Sequence, residues 1–336
     1  MAAARRPRRP GAAVTAALCA VMTAGLYGCS DAGTPEPTPT PATTTPRPES
    51  RPPSRSPFTG LPARPAPVLA VKIDNVGPAR PHTGLGAADL VYVEQVEGGQ
   101  TRLLAICSSR LPERIGPVRS ARESDIELLR QFGRPALAYS GSHSGLKPLL
   151  KAAPLYALPP EDAPGAYVRD RGRSAPHNLY LLPARVLAAA PKAEQAKDIG
   201  FRFGPAPEGG TPVNERTVRF PAARYTFTWN GAEKGWRVAM DGRPAVTTDG
   251  GPVTATTVVV QYVDIRPSKF SDFLGSVSPY TETVGKGTAL VLRDGRGHEA
   301  RWSRPAAEAG TAFTTPAGEP LNFAPGRTWI VLAPRG

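Results

Sequence analysis

The chain has 336 residues, with 41 Lys and Arg against 28 Asp and Glu, a formal net charge of +13 and only 3 cysteines. The length allows two folded domains, and so few cysteines exclude a disulfide scaffold, leaving an apolar core to hold the fold. No nucleic-acid-binding motif is present and no histidine has a metal-ligating neighbour at helical spacing, so neither a nucleic-acid partner nor a metal or other cofactor is expected.

In chain order, Arg5, Arg6, Arg8 and Arg9 precede an apolar run over residues 12–27. At 16 residues that run falls short of the roughly 20 that span a bilayer as a helix, and it reads as a secretion signal. Its end, Leu26-Tyr27-Gly28-Cys29, resembles a bacterial lipobox, with Tyr27 in place of the usual small residue. Residues 1–28 are therefore expected to be a lipoprotein signal peptide and Cys29 the lipidated residue. Residues 29–57, rich in Pro and Thr and without apolar periodicity, are expected to be a disordered tether. This places the folded part outside the cytoplasm, anchored to the outer face of the cell membrane; the export route, general or twin-arginine, stays open. Cys107, in the apolar run LLAIC, remains as a buried core thiol. Loss of the four leader arginines lowers the charge to about +9, which in an exported protein points to an anionic envelope ligand.

From residue 58 to about 205, strand-like and helix-like segments alternate. VLAVKI (68–73) reads as a strand; DLVYVEQVE and RLLAICSS read as two more joined across Gly98-Gly99 as a hairpin. A helix over about 121–132 closes at Gly133, the strand ALAYS follows at 136–140, and further helices are expected beyond Gly145 and near 183–190. GPAPEGGTP, within 200–218, reads as a linker. Beyond it RYTFTW, GWRVAM, TTVVVQYV, TALVLRDGRG, HEARW and RTWIVL are strands separated by Asn-Gly, Asp-Gly and Gly-Arg-Gly turns, with all four tryptophans in strand runs as core residues. The expected fold class is α+β: an N-terminal mixed α/β sandwich domain (58–205) followed by a C-terminal all-β domain (206–336).

The N-terminal half ends its strands in polar residues, a placement that gathers side chains at one sheet edge. Asp74-Asn75 follow the first strand, then Arg80 and His82; Glu97 closes the second strand and Arg102 opens the third. GPVRSAR carries Arg119 and Arg122, and YVRDRGRSAPHNLY carries His177 and Asn178. These ten residues are the candidate ligand-binding set. In GPVRSARESD, Ser120 suits an N-cap and Glu123 completes a capping box, which puts Arg122 in the first turn and Arg119 just before the cap. A cation there opposes the helix dipole by roughly 0.3–1 kcal/mol, whereas a bound anion would meet free N–H groups and two guanidinium forks. Local pairing of Arg122 with Glu123 or Asp125, and of Arg119 with Asp74, Glu94 or Glu97, explains the arginines equally well. GSHSG (141–145) has His143 where a nucleophile elbow needs serine, so it is read only as a loop able to approach a ligand closely.

The segments IDNVGPARPHTGL, ADLVYVEQVEGGQTRLLAI, IGPVRSAR and APHNLY resemble the YerB-type bacterial lipoproteins, a family of unknown function with paired N- and C-terminal domains. The resemblance continues more weakly through GKGTALVLRDGRGHEARWS and GRTWIVL. It implies an envelope-anchored protein, and it maps the family's polar positions onto the ten candidate residues. It supplies no activity and no cofactor. A looser analogy of arrangement exists with the LytR-CpsA-Psr phosphotransferases, whose arginines grip a lipid pyrophosphate. Three functions are therefore open: binding of an anionic cell-wall-related ligand through the arginine cluster, an enzyme acting on a phosphate-linked envelope substrate, and a structural or assembly lipoprotein.

Overall fold

A strand whose two faces are both covered reads as an unbroken apolar run, and LAVKID, at Leu69–Asp74 (β1), is buried at every residue. The computed structural model describes residues 54–272 and 274–335; the expected signal peptide, Cys29 and most of the expected tether lie outside them. Residues 54–57, expected to end the tether, already belong to the folded body: Ser54 Oγ donates to the Ala63 carbonyl at 2.6 Å, and Arg55 bridges to Pro62.

The N-terminal half continues with β2 (Leu90–Gln95), β3 (Thr101–Cys107), helix α1 (Glu123–Leu129), β4 (Ala136–Ala138), α2 (Lys147–Ala152), β5 (Tyr156–Leu158), β6 (Tyr167–Arg169), β7 (Leu179–Leu181) and α3 (Pro183–Ala189). The hairpin between β2 and β3 turns through Gly98 and Gly99, at φ 63° and 69°. After α3 the described chain holds strands without further helices: β8 (Thr211–Pro212), β9 (Glu215–Phe220), β10 (Ala223–Asn230), β11 (Gly235–Met240), β12 (Arg243–Pro244), β13 (Thr254–Ala255) and β14 (Thr257–Val263). There follow β15 (Ile265–Ser271), β16 (Val277–Thr281), β17 (Gly285–Arg293), β18 (Arg296–Arg304), β19 (Ala312–Thr314) and β20 (Thr328–Pro334).

The two halves are mixed α/β and all-β in content, as expected, but they do not form separate sheets. One 11-stranded sheet runs β19-β18-β17-β14-β20-β2-β3-β1-β4-β5, with β8 on the side of β18. The seam is the parallel pairing of β20 with β2, Leu90 opposite Thr328 through Val93 opposite Val331. Local periodicity shows that each run is a strand but carries no record of which distant strand it will pair with. The segment read as a linker is tied in at both ends: Arg293 Nη1 donates to the Gly204 carbonyl at 3.0 Å, and Thr211–Pro212 form β8, paired with β18.

Alternation divides the core in two. On one face of the large sheet, Val71, Ile73, Val93, Leu103 and Trp329 pack against Tyr225, Phe227 and Trp236 of a second sheet, β12-β11-β10-β9 with β13. On the other face, Tyr92, Leu104 and Ile330 pack against Leu128, Leu129 and Phe132 of and after α1, together with Phe58 and Phe323. Each such buried side chain contributes about 1.5–3 kcal/mol relative to exposure. Cys107 is fully buried in the first of these cores.

Candidate functional site

The α1 face of the sheet changes character along its strands. Leu90, Tyr92, Leu104 and Ile106 are apolar, while Lys72 and Asp74 of β1, Glu94 of β2 and Arg102 of β3 are charged, and all four of these are buried. Because side chains alternate with period two, these charges share one face and gather at one end of it. They sort into two clusters.

The first is closed. Lys72 Nζ donates to Glu94 Oε2 and Asp125 Oδ1, each at 2.6 Å, and all three side chains are almost wholly inaccessible. Two carboxylates against one ammonium leave an excess negative charge, and Glu94 Oε1 has no partner. Burial raises the Glu94 carboxyl to about 7, with Lys72 working against the rise and Asp125 adding to it. Asp125 Oδ2 also accepts the Arg122 backbone N–H at 2.6 Å.

That bond corrects the expected helix start. The N-cap is Arg122, and the helix begins at Glu123. Ser120 lies in the extended segment before it, because the backbone from Pro117 to Ala121 is already spoken for. Val118 N–H donates to the Leu179 carbonyl, Arg119 N–H to Lys72, Ala121 N–H to Gly141, and the Arg119 carbonyl accepts from Ser140 N–H. Arg119 thus projects from a pinned segment between β1 and β7, and Arg122 caps the helix with its own N–H already taken by Asp125.

The second cluster is open. Glu97, Arg102, Arg119 and Arg122 line a cavity of about 600 Å³ that is closed on its other sides by residues of the His143 loop and of the β15–β16 hairpin. Arg122 is bidentate on Glu97, Nε to Oε1 at 2.6 Å and Nη2 to Oε2 at 2.5 Å, and Ser278 Oγ donates to the same carboxylate. Burial would raise the Glu97 carboxyl, but the Arg122 hydrogen bonds and charge override it and hold it at about 2. Arg119 Nε lies 3.4 Å from Asp74 Oδ2, an oxygen that His177 Nδ1 already holds at 2.8 Å. Arg102 faces Asp74 on one neighbouring strand and Glu94 on the other, yet its one hydrogen bond is from Nη1 to the Ser120 carbonyl at 2.9 Å. Among the described residues no carboxylate lies within 4.0 Å of its guanidinium. Burial, with Arg122 and Arg119 close by, pulls its pKa down to about 9.

The remaining candidates are used elsewhere. Asn75 donates to Thr101 Oγ1 at 3.2 Å and to the Tyr225 hydroxyl, while Arg80 binds the Asn75 side chain and pairs with Asp241 at 2.8 Å, tying β1 to the second sheet. Nε2–H of His82 donates to the Asp74 carbonyl at 2.8 Å, and burial lowers its pKa to about 4, so it braces the strand end as a neutral ring. Arg80 and His82 border a separate cleft of about 450 Å³. Asn178 accepts from Arg169 Nη1 and donates to the Asp170 and Arg173 carbonyls within its own loop. Sequence reasoning did not select Lys72, Asp125 or the hairpin residues Phe270 and Ser278. A lysine inside the apolar run VLAVKI was the available signal for the first, since a buried ammonium requires paired acids. Among the described residues no group of three or more His, Cys, Asp and Glu could hold a metal ion, and no helix is long and apolar enough to cross a membrane.

Known proteins share this architecture. "Putative lipoprotein YerB" of Bacillus subtilis (strain 168) is 28% identical over 299 residues, 83% of this chain and 86% of that protein. The crystal structure of YerB protein from Bacillus subtilis matches with a TM-score of 0.72 at 24% identity, covering 84% of this chain and 97% of that one, a likeness of fold. The N-terminal domain of a protein of unknown function (DUF3048) matches residues 58–197, and the C-terminal domain of the same description matches 216–330. Both sheets and the arginine-lined cavity are thus made from the paired domains of one family, and the chain belongs to that family, DUF3048, of which YerB is a relative.

Proposed function

We propose that this protein is a cell-envelope lipoprotein of the YerB type that binds an anionic, phosphate-bearing ligand in the arginine-lined cavity. Cys29 would carry the anchor and the Pro/Thr-rich segment would let the folded part reach its ligand from the membrane surface. One observation carries the reading: Arg102, a nearly buried guanidinium at the cavity wall, is left without a carboxylate while Arg122 is saturated by Glu97. A buried cation is costly unless paired, and its unused N–H groups suit a phosphate oxygen. Arg119, sharing Asp74 with His177, supplies a second guanidinium. Calorimetric titration with inorganic pyrophosphate and with purified wall polymers tests it. Wild type should bind at least one of them, and Arg102→Gln combined with Arg119→Gln should weaken it at least about tenfold, a loss of roughly 1.4 kcal/mol. Equal affinity in both proteins would sink the assignment.

An enzymatic reading has one observation in its favour. The Asp74 carboxylate fixes His177 through Nδ1, which leaves Nε2 as the atom able to take or give a proton beside Arg119. Turnover of a phosphodiester or pyrophosphate substrate that vanishes in His177→Gln and in Asp74→Asn would support hydrolysis or phosphoryl transfer. Absence of turnover with a ligand that binds wild type would leave binding alone.

A further inference from the structure

The cavity is much larger than an inorganic anion, and its guanidinium wall accounts for only part of it. The rest of the lining includes Val96, Leu146, Phe270 and Leu274, the last two on or next to the β15–β16 hairpin. That hairpin comes from the C-terminal half and is clamped at its base. Ser268 Oγ donates to Glu123, the Tyr280 hydroxyl to Glu127 at 2.9 Å, and Thr281 N–H to Ser124 Oγ at 2.9 Å. Among the described residues its tip is held by its own turn, Leu274 N–H and Ser276 N–H both donating to Asp272 Oδ1 at 2.9 Å. Single exposed apolar residues are ordinary. Here, though, the two most exposed large hydrophobic side chains among the described residues, Leu274 at 75% and Val277 at 58%, both flank this tip, and Leu274 stands at the cavity mouth. Phe270, also in the lining, has its ring 5.4 Å from that of His143.

Resting on the anion-binding reading above, we infer that the ligand is an amphiphile: an alkyl or prenyl phosphate whose phosphate meets Arg102 and Arg119 while its chain lies along Phe270 and Leu274 and leaves through the hairpin mouth. The guanidiniums of Arg102 and Arg119 select the head group, and the apolar lip supplies a surface that a free polyphosphate or a sugar polymer would not use. A polar ligand would leave that lip in water, with nothing gained from it.

The test is titration of the folded protein with inorganic phosphate, hexyl phosphate and decyl phosphate below their aggregation limits, with decyltrimethylammonium as a charge control. A fully buried methylene is worth about fourfold in affinity. Decyl phosphate should therefore bind at least about tenfold more tightly than hexyl phosphate, and in Leu274→Ser and Phe270→Ser that ratio should fall below about threefold. Circular dichroism confirms that these two variants fold; should Phe270→Ser fail, Leu274→Ser, which alters an exposed side chain, decides alone. Phosphate bound without any dependence on chain length would overturn the amphiphile and leave the anion site standing. Decyltrimethylammonium bound as tightly as decyl phosphate would overturn it as well, by showing that the arginines take no part. If none of the phosphates binds, both readings fall together.

Discussion

Lys72 and Arg102 lie on adjacent antiparallel strands, on the same face of the same sheet, and each is a nearly inaccessible cation. Their surroundings differ. Lys72 is enclosed by two carboxylates, which leaves a negative excess with no outlet. Arg102 has no carboxylate on its guanidinium, since Glu97 is taken by Arg122 and Asp74 by Arg119 and His177, and it opens on a cavity that Glu97, Glu123 and Asp272 also line. A closed imbalance is neutralised from within, by a shift of protonation; an unpaired cation on an open cavity can be neutralised from outside, by a ligand. The contrast separates charges that hold the fold from charges that await something.

Removing the cation from each cluster should therefore have unlike effects. Lys72→Met strands Glu94 and Asp125 in the interior and should cost about 3–5 kcal/mol in urea unfolding, the usual penalty for breaking a buried pair. A loss under about 1 kcal/mol would mean that the closed cluster is not structural. Glu97→Gln removes the bidentate partner of Arg122 and an acceptor of Ser278, and should cost about 1–3 kcal/mol at pH 7. Because the Glu97 carboxyl sits at about 2 against an ordinary 4.5, its contribution is present above 4.5 and is lost as pH falls toward 2. The variant should lose that acid-side slope.

Glu94 tilts the other way. Its carboxyl is raised from 4.5 to about 7, so the unfolded chain releases this proton first, and stability falls as pH climbs between those values. Glu94→Gln should flatten the melting-temperature profile in that window and leave the region below 4.5 alone; an unchanged slope would place the titration elsewhere. The smallest effect on stability is expected from Arg102→Gln, within about 1 kcal/mol of wild type or above it, since the guanidinium gives up a single hydrogen bond and an uncompensated charge. A large destabilisation there would recast Arg102 as a brace, and would erase the distinction drawn between the clusters.

Much of this was legible from local pattern. VLAVKI, the glycine hairpin, the helices beyond Gly145 and near 183, the strand runs of the second half and the buried tryptophans all follow from period and turn chemistry acting over a few residues. The helix start was misjudged because Ser120 satisfies the capping rule locally, while tertiary hydrogen bonds to Lys72 and Gly141 hold that backbone extended. The pairing of Arg119 with Asp74 was among the options the sequence offered, whereas the Arg122 side chain takes Glu97 of the β2–β3 hairpin and leaves Asp125 only its backbone N–H. Least legible was anything that depends on partners far apart in sequence. The hairpin at 265–281 closing a cavity built from residues 96–146 is one case, and the single shared sheet is the other.

The place of β20 has a consequence for how the molecule is made. Ribosomes deliver the chain from its N-terminus, and all ten candidate residues precede residue 180, yet β2, which carries Glu94 and leads into Glu97, keeps one edge unpaired until Thr328–Pro334 arrives. For most of synthesis the cavity wall belongs to an incomplete sheet whose free edge could pair with another nascent chain. A product truncated before Thr328 would keep every arginine of the cluster and still lack the strand that joins its two halves into one sheet.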